Sequence, residues 1–142
     1  MSTDQNKAVL TERITLENSG GQVLVISLNR PDRLNCFDTE VCQALCQIFS
    51  KLSDDLRQED TGHRNVEDQI VAVILKGIGR SFCAGADLSN PPSPLIQSSD
   101  LMHHLHQNPT YFMGKVSVPI IVAIQGHVSN VMEDYFIRLW DS

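Results

Sequence analysis

The stretch LKGIGRSFCAGADLS, residues 75–89, has residue types and spacing that could support chemistry at the polypeptide backbone. Three glycines and two alanines occur between Lys76 and Asp87. Residues this small allow another group to come close to the backbone. The stretch is open to three interpretations: a phosphate cradle, a structural turn or an oxyanion hole.

A phosphate cradle is the interpretation that the spacing supports least. GIGRSF (77–82) lacks the third glycine of a dinucleotide fingerprint, and no Gly-Lys-Ser/Thr occurs in the chain. A turn needs no more than Gly77 and Gly79, because glycines commonly interrupt regular structure. An oxyanion hole would use backbone N–H groups of AGA (84–86) as fixed donors to a carbonyl oxygen that gains negative charge. A helical turn beginning near Asp87 would add its dipole.

Other candidate groups lack partners in the sequence. His103 and His106 are spaced i,i+3 and could share a metal on one helical face, but no third ligand is in view, and solvated histidines are the alternative. Ser81, Ser89 and Cys83 have no recognisable base that would make them nucleophiles. The four cysteines form no CxxC pair and are expected to be small buried residues. No metal site is expected.

The bulk composition is that of one ordinary globular domain. The chain has 142 residues, of which 42% are hydrophobic, and a formal net charge of −6. This charge argues against binding to nucleic acid or to an anionic membrane. No apolar run reaches transmembrane length. MSTDQNKAVLTER (1–13) lacks the apolar centre of a secretory signal, so a cytoplasmic location is expected by default.

The hydrophobic patterns predict an α/β fold. Residues 12–29 contain two alternating runs around NSGG, which is the pattern of a β-hairpin. Asp38 is the expected N-cap of an amphipathic helix over 39–56, where apolar residues recur every three or four positions. The apolar runs 70–76 and 118–126 are typical of strands buried on both faces of a parallel sheet. Strand, helix and strand in this order imply a parallel crossover.

Three motifs occur in a fixed order: NRPDRLN (29–35), GIGRSFCAGADL (77–88) and VPIIVAIQGHVS (118–129). Together they resemble the crotonase superfamily, which contains the enoyl-CoA hydratases and isomerases, over about residues 12–129. The resemblance implies a spiral of ββα units, truncated here after the second buried strand. It also implies an acyl-CoA substrate, no cofactor other than the coenzyme A of that substrate, and a homo-oligomer, either a trimer or a hexamer.

Carried over residue by residue, the resemblance implies an oxyanion hole in which the Ala86 N–H is the first donor. Arg33 would contact a phosphate of coenzyme A, and a solvated surface arginine is the alternative for this residue. The other residues implied to line the substrate site are Ala84, Gly85, Asp87, Leu88 and Gly126.

The sequence departs from the family pattern after Ser129. The second glycine-rich turn of the family, which carries the second N–H donor, falls on residues 130–132, here Asn, Val and Met. The acid–base carboxylate falls on Asp134, with Glu133 adjacent, and an acidic first helical turn is the alternative for both. Aspartate is one methylene shorter than the glutamate expected there, and a misplacement of about 1 Å can cost on the order of a hundredfold in rate.

Two functions therefore stay open. The first is hydration of a 2-enoyl-CoA, or migration of its double bond, through an enolate held by Ala86. The second is a truncated, catalytically inactive fragment that binds acyl-CoA or a full-length homologue, and that would expose an edge strand and an open core face.

We divide the chain into a flexible N-terminus (1–11), a crotonase-like part (12–129) and a divergent tail (130–142). The resemblance adds mitochondria and peroxisomes as candidate locations.

Overall fold

A computed structural model of the chain describes residues 7–17, 20–59, 66–90 and 108–129. The helices and strands of these residues are β1 (Val9–Thr15), β2 (Gln22–Leu28), α1 (Thr39–Glu59), β3 (Ile70–Gly77), α2 (Pro109–Met113) and β4 (Ile120–Ala123). Short 3-10 turns cover Pro31–Arg33 and Val66–Asp68. The predicted α/β class is confirmed.

The four strands form one mixed sheet in the order β1-β2-β3-β4. β1 and β2 are the antiparallel hairpin predicted from the sequence, and Gly20 and Gly21 take φ values of 67° and 90° in its turn. β3 lies parallel to β2, and β4 lies parallel to β3. The ends of β2, β3 and β4 therefore meet at one edge of the sheet, where all three sequence motifs continue.

Helix α1 forms where the sequence predicted it and extends to Glu59. The Asp38 Oδ1 atom accepts a hydrogen bond of 2.9 Å from the Val41 N–H, which satisfies one of the free donors at the helix start. The apolar residues recur at three- and four-residue spacing, so they share one face of the helix. The buried members of this face are Val41, Leu45, Phe49, Leu52 and Leu56.

The core lies between α1 and one face of the sheet. Leu24 pairs with Val73 and Ile26 pairs with Leu75 across the parallel strands, and all four side chains are buried under the helix. Met113 of α2 adds a further buried side chain. The helix thus holds β2 and β3 together directly beneath the loops that follow them.

The structure corrects two expectations from the sequence. β1 begins at Val9, so the start predicted at residue 12 is too late. The run 118–126 yields a strand of four residues, not a strand buried on both faces. On the sheet face away from α1, Ile14 is 45% exposed and Ile121 is 54% exposed, whereas Val25 of the central strand β2 is buried. An apolar run does not say whether both sides of a strand will be covered.

Some expectations lie outside the described residues: the His103 and His106 pair, Glu133, Asp134 and the tail 130–142. In the described part of the chain, no helix is both long enough and apolar enough to cross a membrane.

The substitution Leu45→Ala is expected to lower the free energy of unfolding by about 2 to 5 kcal/mol, because it leaves a cavity under the sheet. Leu45 is fully buried at the centre of the core. Urea unfolding followed by far-UV circular dichroism measures the change. The control Gln43→Ala alters an exposed position of the same helix and should change stability by less than about 0.5 kcal/mol. Equal effects of the two substitutions would show that Leu45 does not lie in the core.

Candidate active site

The glycine-rich loop that follows β3 lies between two other segments of the chain. On one side, Ala86 forms an isolated parallel bridge with Phe37, in the turn before α1. On the other side, Cys83 forms a parallel bridge with Val128, in the segment after β4. The Ala84 N–H also donates to the Leu34 carbonyl oxygen, so the three motifs noted in the sequence are in direct contact.

The buried amide of Asn35 fastens the loop to the turn before α1. Its Nδ2 atom donates to the carbonyl oxygens of Ile78, at 2.9 Å, and Ser81, at 2.8 Å. Its Oδ1 atom accepts from the Arg30 N–H at 2.8 Å. Leu34 and Asn35 both have positive φ, 51° and 55°, a conformation that non-glycine residues keep only where their surroundings hold them. These hydrogen bonds supply that constraint.

Gly77 is required where the loop folds back on itself. A Cβ atom at this position would lie 2.5 Å from the Phe82 carbonyl oxygen and 2.6 Å from the Ser81 carbonyl oxygen. It would also lie 2.8 Å from Nδ2 of Asn35. The first two neighbours are backbone atoms, so a larger residue at 77 would displace the loop.

The segment after β4 holds the other side of the loop. The Phe82 N–H donates to the Gln125 carbonyl oxygen at 2.7 Å, and Ser81 Oγ donates to the His127 carbonyl oxygen at 2.8 Å. Gln125 Nε2 also donates to the Gly77 carbonyl oxygen at 2.6 Å. The loop is thus fixed from both sides by hydrogen bonds to its backbone.

Two predicted site residues, Gly85 and Gly126, are positions of close approach between segments. Gly85 has φ of 109°, and a Cβ there would lie 2.8 Å from Oγ of Ser129. Gly126 has φ of 63°, and a Cβ there would collide with the carbonyl oxygen of Arg80. Both positions favour glycine because of backbone conformation and lack of space.

The N–H of Ala86 is directed away from Phe37. The Gly85 carbonyl oxygen accepts from the Phe37 N–H at 2.8 Å, and the Asp87 N–H donates to the Phe37 carbonyl oxygen at 2.7 Å. In a planar trans peptide the N–H is opposite to the carbonyl, so the Ala86 N–H faces the other side. It makes no hydrogen bond within the described part of the chain. The Gly85 N–H has no partner there either, but only the Ala86 N–H has its direction set by the bridge.

Asp87, next to the candidate donor, is a buried and fully engaged carboxylate. Its Oδ1 atom accepts from Ser89, at 2.6 Å from Oγ and 3.0 Å from N. Its Oδ2 atom lies 3.2 Å from Arg30 Nη2 and 3.5 Å from Arg33 Nη1. The hydrogen bonds from Ser89, with smaller contributions from the two arginines, lower the Asp87 pKa to about 2. At neutral pH this group is an ion and cannot act as a general acid.

The remaining predicted site residues are placed as follows. The Ala84 N–H donates to the Leu34 carbonyl oxygen at 3.0 Å, so it is not available to a ligand. Arg33 is half-exposed, and its Nη1 atom lies 3.4 Å from Ser89 Oγ, at the outer side of the loop. Leu88 is 94% exposed, so the described residues form no pocket around it. The structure brings residues 84–87 and Arg33 together, whereas Asp134 lies outside the described residues.

Sequence reasoning missed the role of Asn35, and it placed Arg30 near the coenzyme A nucleotide without its pairing to Asp38 and Asp87. Both belong to the motif NRPDRLN, but their partners lie in the glycine-rich loop and at the start of α1. The motif NRPDRLN was the part of the sequence that could have indicated these residues. The partners of its side chains lie far away in the chain, so residue spacing alone does not predict them.

The thiols near the loop are protonated, in agreement with the packing role expected for them. Burial raises the pKa of Cys83 to about 11 and that of Cys42 to about 12. A thiol with such a pKa is a poor nucleophile. Among the described residues, no group of three or more His, Cys, Asp or Glu side chains is placed to hold a metal ion.

Comparison with known proteins gives one family for this chain. The family model for enoyl-CoA hydratase/isomerase matches residues 18–130. The chain is 29% identical over 108 residues to 1,2-epoxyphenylacetyl-CoA isomerase of Escherichia coli, a match that covers 73% of this chain and 37% of that protein. It is 32% identical over 123 residues to (E)-benzylidenesuccinyl-CoA hydratase of Thauera aromatica, covering 80% of this chain and 40% of that protein.

A solved structure shows the same fold. The crystal structure of an enoyl-CoA hydratase/isomerase from Mycobacterium paratuberculosis superposes with a TM-score of 0.58 at 22% identity. The superposition covers 85% of this chain and 42% of that one. The fold predicted from the three motifs is therefore confirmed, and the chain spans about two fifths of the length of these proteins.

The substitution Gly77→Ala is expected to destabilise the chain by about 1 to 3 kcal/mol, because the added methyl group would press on two backbone carbonyls of the loop. Equilibrium unfolding in urea measures the loss. The control is Gly114→Ala, at an exposed position with φ of −63°, which any residue adopts. A Gly77→Ala protein as stable as the control would show that the loop does not fold back as described.

The free energy of unfolding is expected to fall as the pH drops from about 4 to about 2, in part because of Asp87. The Asp87 pKa is about 2 in the folded chain against an ordinary value of 3.8, so the unfolded chain binds more protons in this window. Above about pH 5 the contribution is complete. Urea unfolding at a series of pH values should show a shallower acid decline for Asp87→Asn. The control Asp54→Asn, at an exposed site on α1, should retain the wild-type decline. Identical declines in wild type and Asp87→Asn would contradict the assignment.

Proposed function

The chain belongs to the enoyl-CoA hydratase/isomerase family, and on this basis we propose that its loop at residues 84–87 binds the thioester group of an acyl-CoA. The Ala86 N–H donates to the thioester oxygen. One observation supports this donor above the others: its N–H makes no hydrogen bond in the described part of the chain, and the bridge to Phe37 turns it outward.

A donor of this kind acts through charge stabilisation. When a proton leaves the carbon next to the thioester, or when water adds to C3 of a 2-enoyl thioester, negative charge develops on the carbonyl oxygen. A backbone N–H that is already fixed stabilises this charge without reorganisation during the reaction. The loop meets this condition because Asn35 and Gln125 hold its backbone from opposite sides. Coenzyme A enters as part of the substrate, so the proposal needs no separate cofactor.

The other contacts proposed for the substrate lie around this donor. Arg33, at the outer side of the loop, is proposed to bind a phosphate of coenzyme A. Ala84, Gly85 and Asp87 form the loop wall, and Leu88 and Gly126 are proposed to contact the acyl-pantetheine chain. The second N–H donor would come from residues 130–132, and the acid–base group from Asp134 or Glu133.

Replacing the Ala86 amide by an ester, through incorporation of lactic acid at position 86, is expected to weaken binding of butyryl-CoA by about 2- to 10-fold. The ester lacks the N–H, and one hydrogen bond contributes about 1 kcal/mol. Isothermal titration calorimetry should show the loss for the thioester. The affinity for S-butyl-CoA, a thioether that has no carbonyl group, should not change.

The same exchange at Ala84 is the matched control for this experiment. The Ala84 N–H is bound to the Leu34 carbonyl oxygen, so its removal should lower stability and leave the preference for thioester over thioether intact. The proposal is overturned if the preference survives the exchange at Ala86, or if wild type binds both ligands equally.

A second candidate function is acyl-CoA binding without turnover. It is favoured by the ion pairs in which the nearby carboxylates are engaged. Near the candidate donor, the described residues supply Asp38 and Asp87, and Arg30 engages both. Neither is free to move a proton at the substrate. A spectrophotometric hydration assay with crotonyl-CoA distinguishes the two functions: measurable turnover supports the enzyme, whereas binding alone supports the inactive fragment. Co-elution with a full-length relative would give the fragment a partner.

A further inference from the structure

The Arg30 guanidinium touches both segments whose pairing sets the direction of the Ala86 N–H. On the turn side, its Nη1 atom lies 2.9 Å from the Cys36 carbonyl oxygen and 2.9 Å from Asp38 Oδ2. On the loop side, its Nη2 atom lies 3.2 Å from Asp87 Oδ2. Cys36 and Asp38 flank Phe37 in the chain, and Asp87 follows Ala86. Arg30 therefore contacts the neighbours of both members of the bridge.

We propose that Arg30 is a positioning residue that clamps the Phe37–Ala86 bridge and thereby aims the Ala86 N–H at the substrate oxygen. The proposal rests on the function proposed above. It concerns a residue that would not touch the acyl-CoA and that acts through the backbone of its neighbours.

The peptide geometry connects the clamp to the donor. The Ala86 N–H is opposite to the Gly85 carbonyl in one planar peptide, and that carbonyl accepts from the Phe37 N–H at 2.8 Å. A rotation of this peptide would break the hydrogen bond from Phe37. Separation of the two segments would have the same effect. By holding Cys36 and Asp38 against Asp87, Arg30 opposes both movements.

The chemistry of arginine suits this position better than that of lysine. A guanidinium presents several donors in fixed directions within one plane, and here it serves three acceptors at once. Lysine would supply the charge, but its compact ammonium lacks the planar set of donors with fixed directions. The two carboxylates are buried, and Arg30 is itself only 18% exposed, so loss of the cation would leave two buried like charges facing each other.

Arg33 does not replace this clamp. Its Nη1 atom reaches Asp87 at 3.5 Å, but the side chain is half-exposed, and within the described residues it forms no hydrogen bond or ion pair with Cys36 or Asp38. A charge pair at such an exposed site contributes little. Of the two arginines, Arg30 is the one whose side chain joins Cys36 and Asp38 to Asp87 within the described part of the chain.

The test compares Arg30→Gln, Arg30→Lys and the control Arg57→Gln by difference infrared spectroscopy of bound butyryl-CoA carrying ¹³C at its carbonyl carbon. Arg57 lies on an exposed position in the last turn of α1. An N–H aimed at the oxygen weakens the carbonyl bond and lowers its stretching frequency. This frequency is measured on bound ligand, so a reduced fraction of folded protein does not change it.

Wild type and Arg57→Gln should lower the carbonyl frequency equally. Arg30→Gln should lose most of this shift, and Arg30→Lys should recover part of it. The affinity for free coenzyme A, which has no thioester, should be the same in all four proteins. If Arg30→Gln does not fold, Arg30→Lys and Asp87→Asn decide the question, since each releases the loop side of the clamp and should reduce the shift.

The possible failures are distinguishable. Absence of a shift in wild type would overturn the proposed function itself. A full shift in Arg30→Gln, or in both Arg30→Lys and Asp87→Asn, would overturn the role of Arg30 and leave the oxyanion donor in place.

Discussion

The glycine-rich loop after β3 is buried on two sides, and the site depends on this constraint. Buried backbone groups must find hydrogen-bond partners. The chain meets this demand with two amide side chains. Asn35 donates to the carbonyl oxygens of Ile78 and Ser81, and Gln125 donates to that of Gly77. Once these groups are satisfied, the loop can leave β3, turn back over the sheet edge and run beside both neighbouring segments. Gly77 permits this path since no Cβ would fit there.

The same hydrogen bonds hold the Ala86 N–H in place, although it has no partner in the described part of the chain. A donor that is unpaired and fixed in direction is a costly arrangement, and the surrounding hydrogen bonds must hold it. Around Ala86 this support comes from the Phe37 bridge and from the ionic contacts of Arg30 with Asp38 and Asp87. These contacts also engage the nearby carboxylates. The proposed role of the site, to stabilise charge without transferring a proton, is consistent with these ion pairs.

Packing of helix α1 against the sheet supports the sheet edge that carries the site. Helix α1 covers β2 and β3 from one side, and its N-cap Asp38 is also a partner of Arg30. The start of the helix and the loop are thus linked through one arginine, which forms an ion pair with Asp38 and another with Asp87. The opposite face of the sheet is less protected, with Ile14 and Ile121 about half exposed. The chain spans about two fifths of the length of its relatives.

Local patterns in the sequence were sufficient for much of this architecture. The spacing of Leu45 and Phe49 predicted α1, NSGG predicted the hairpin, and AGA at 84–86 indicated the loop that carries Ala86. These features depend on residues close together in the chain, so periodicity and backbone preference report them directly. The covering of β4 and the pairing of Arg30 with Asp87 depend on segments far apart in the chain. The direction of the Ala86 N–H was likewise decided only by the tertiary structure, because a hydrogen bond between Phe37 and Gly85 sets the plane of that peptide.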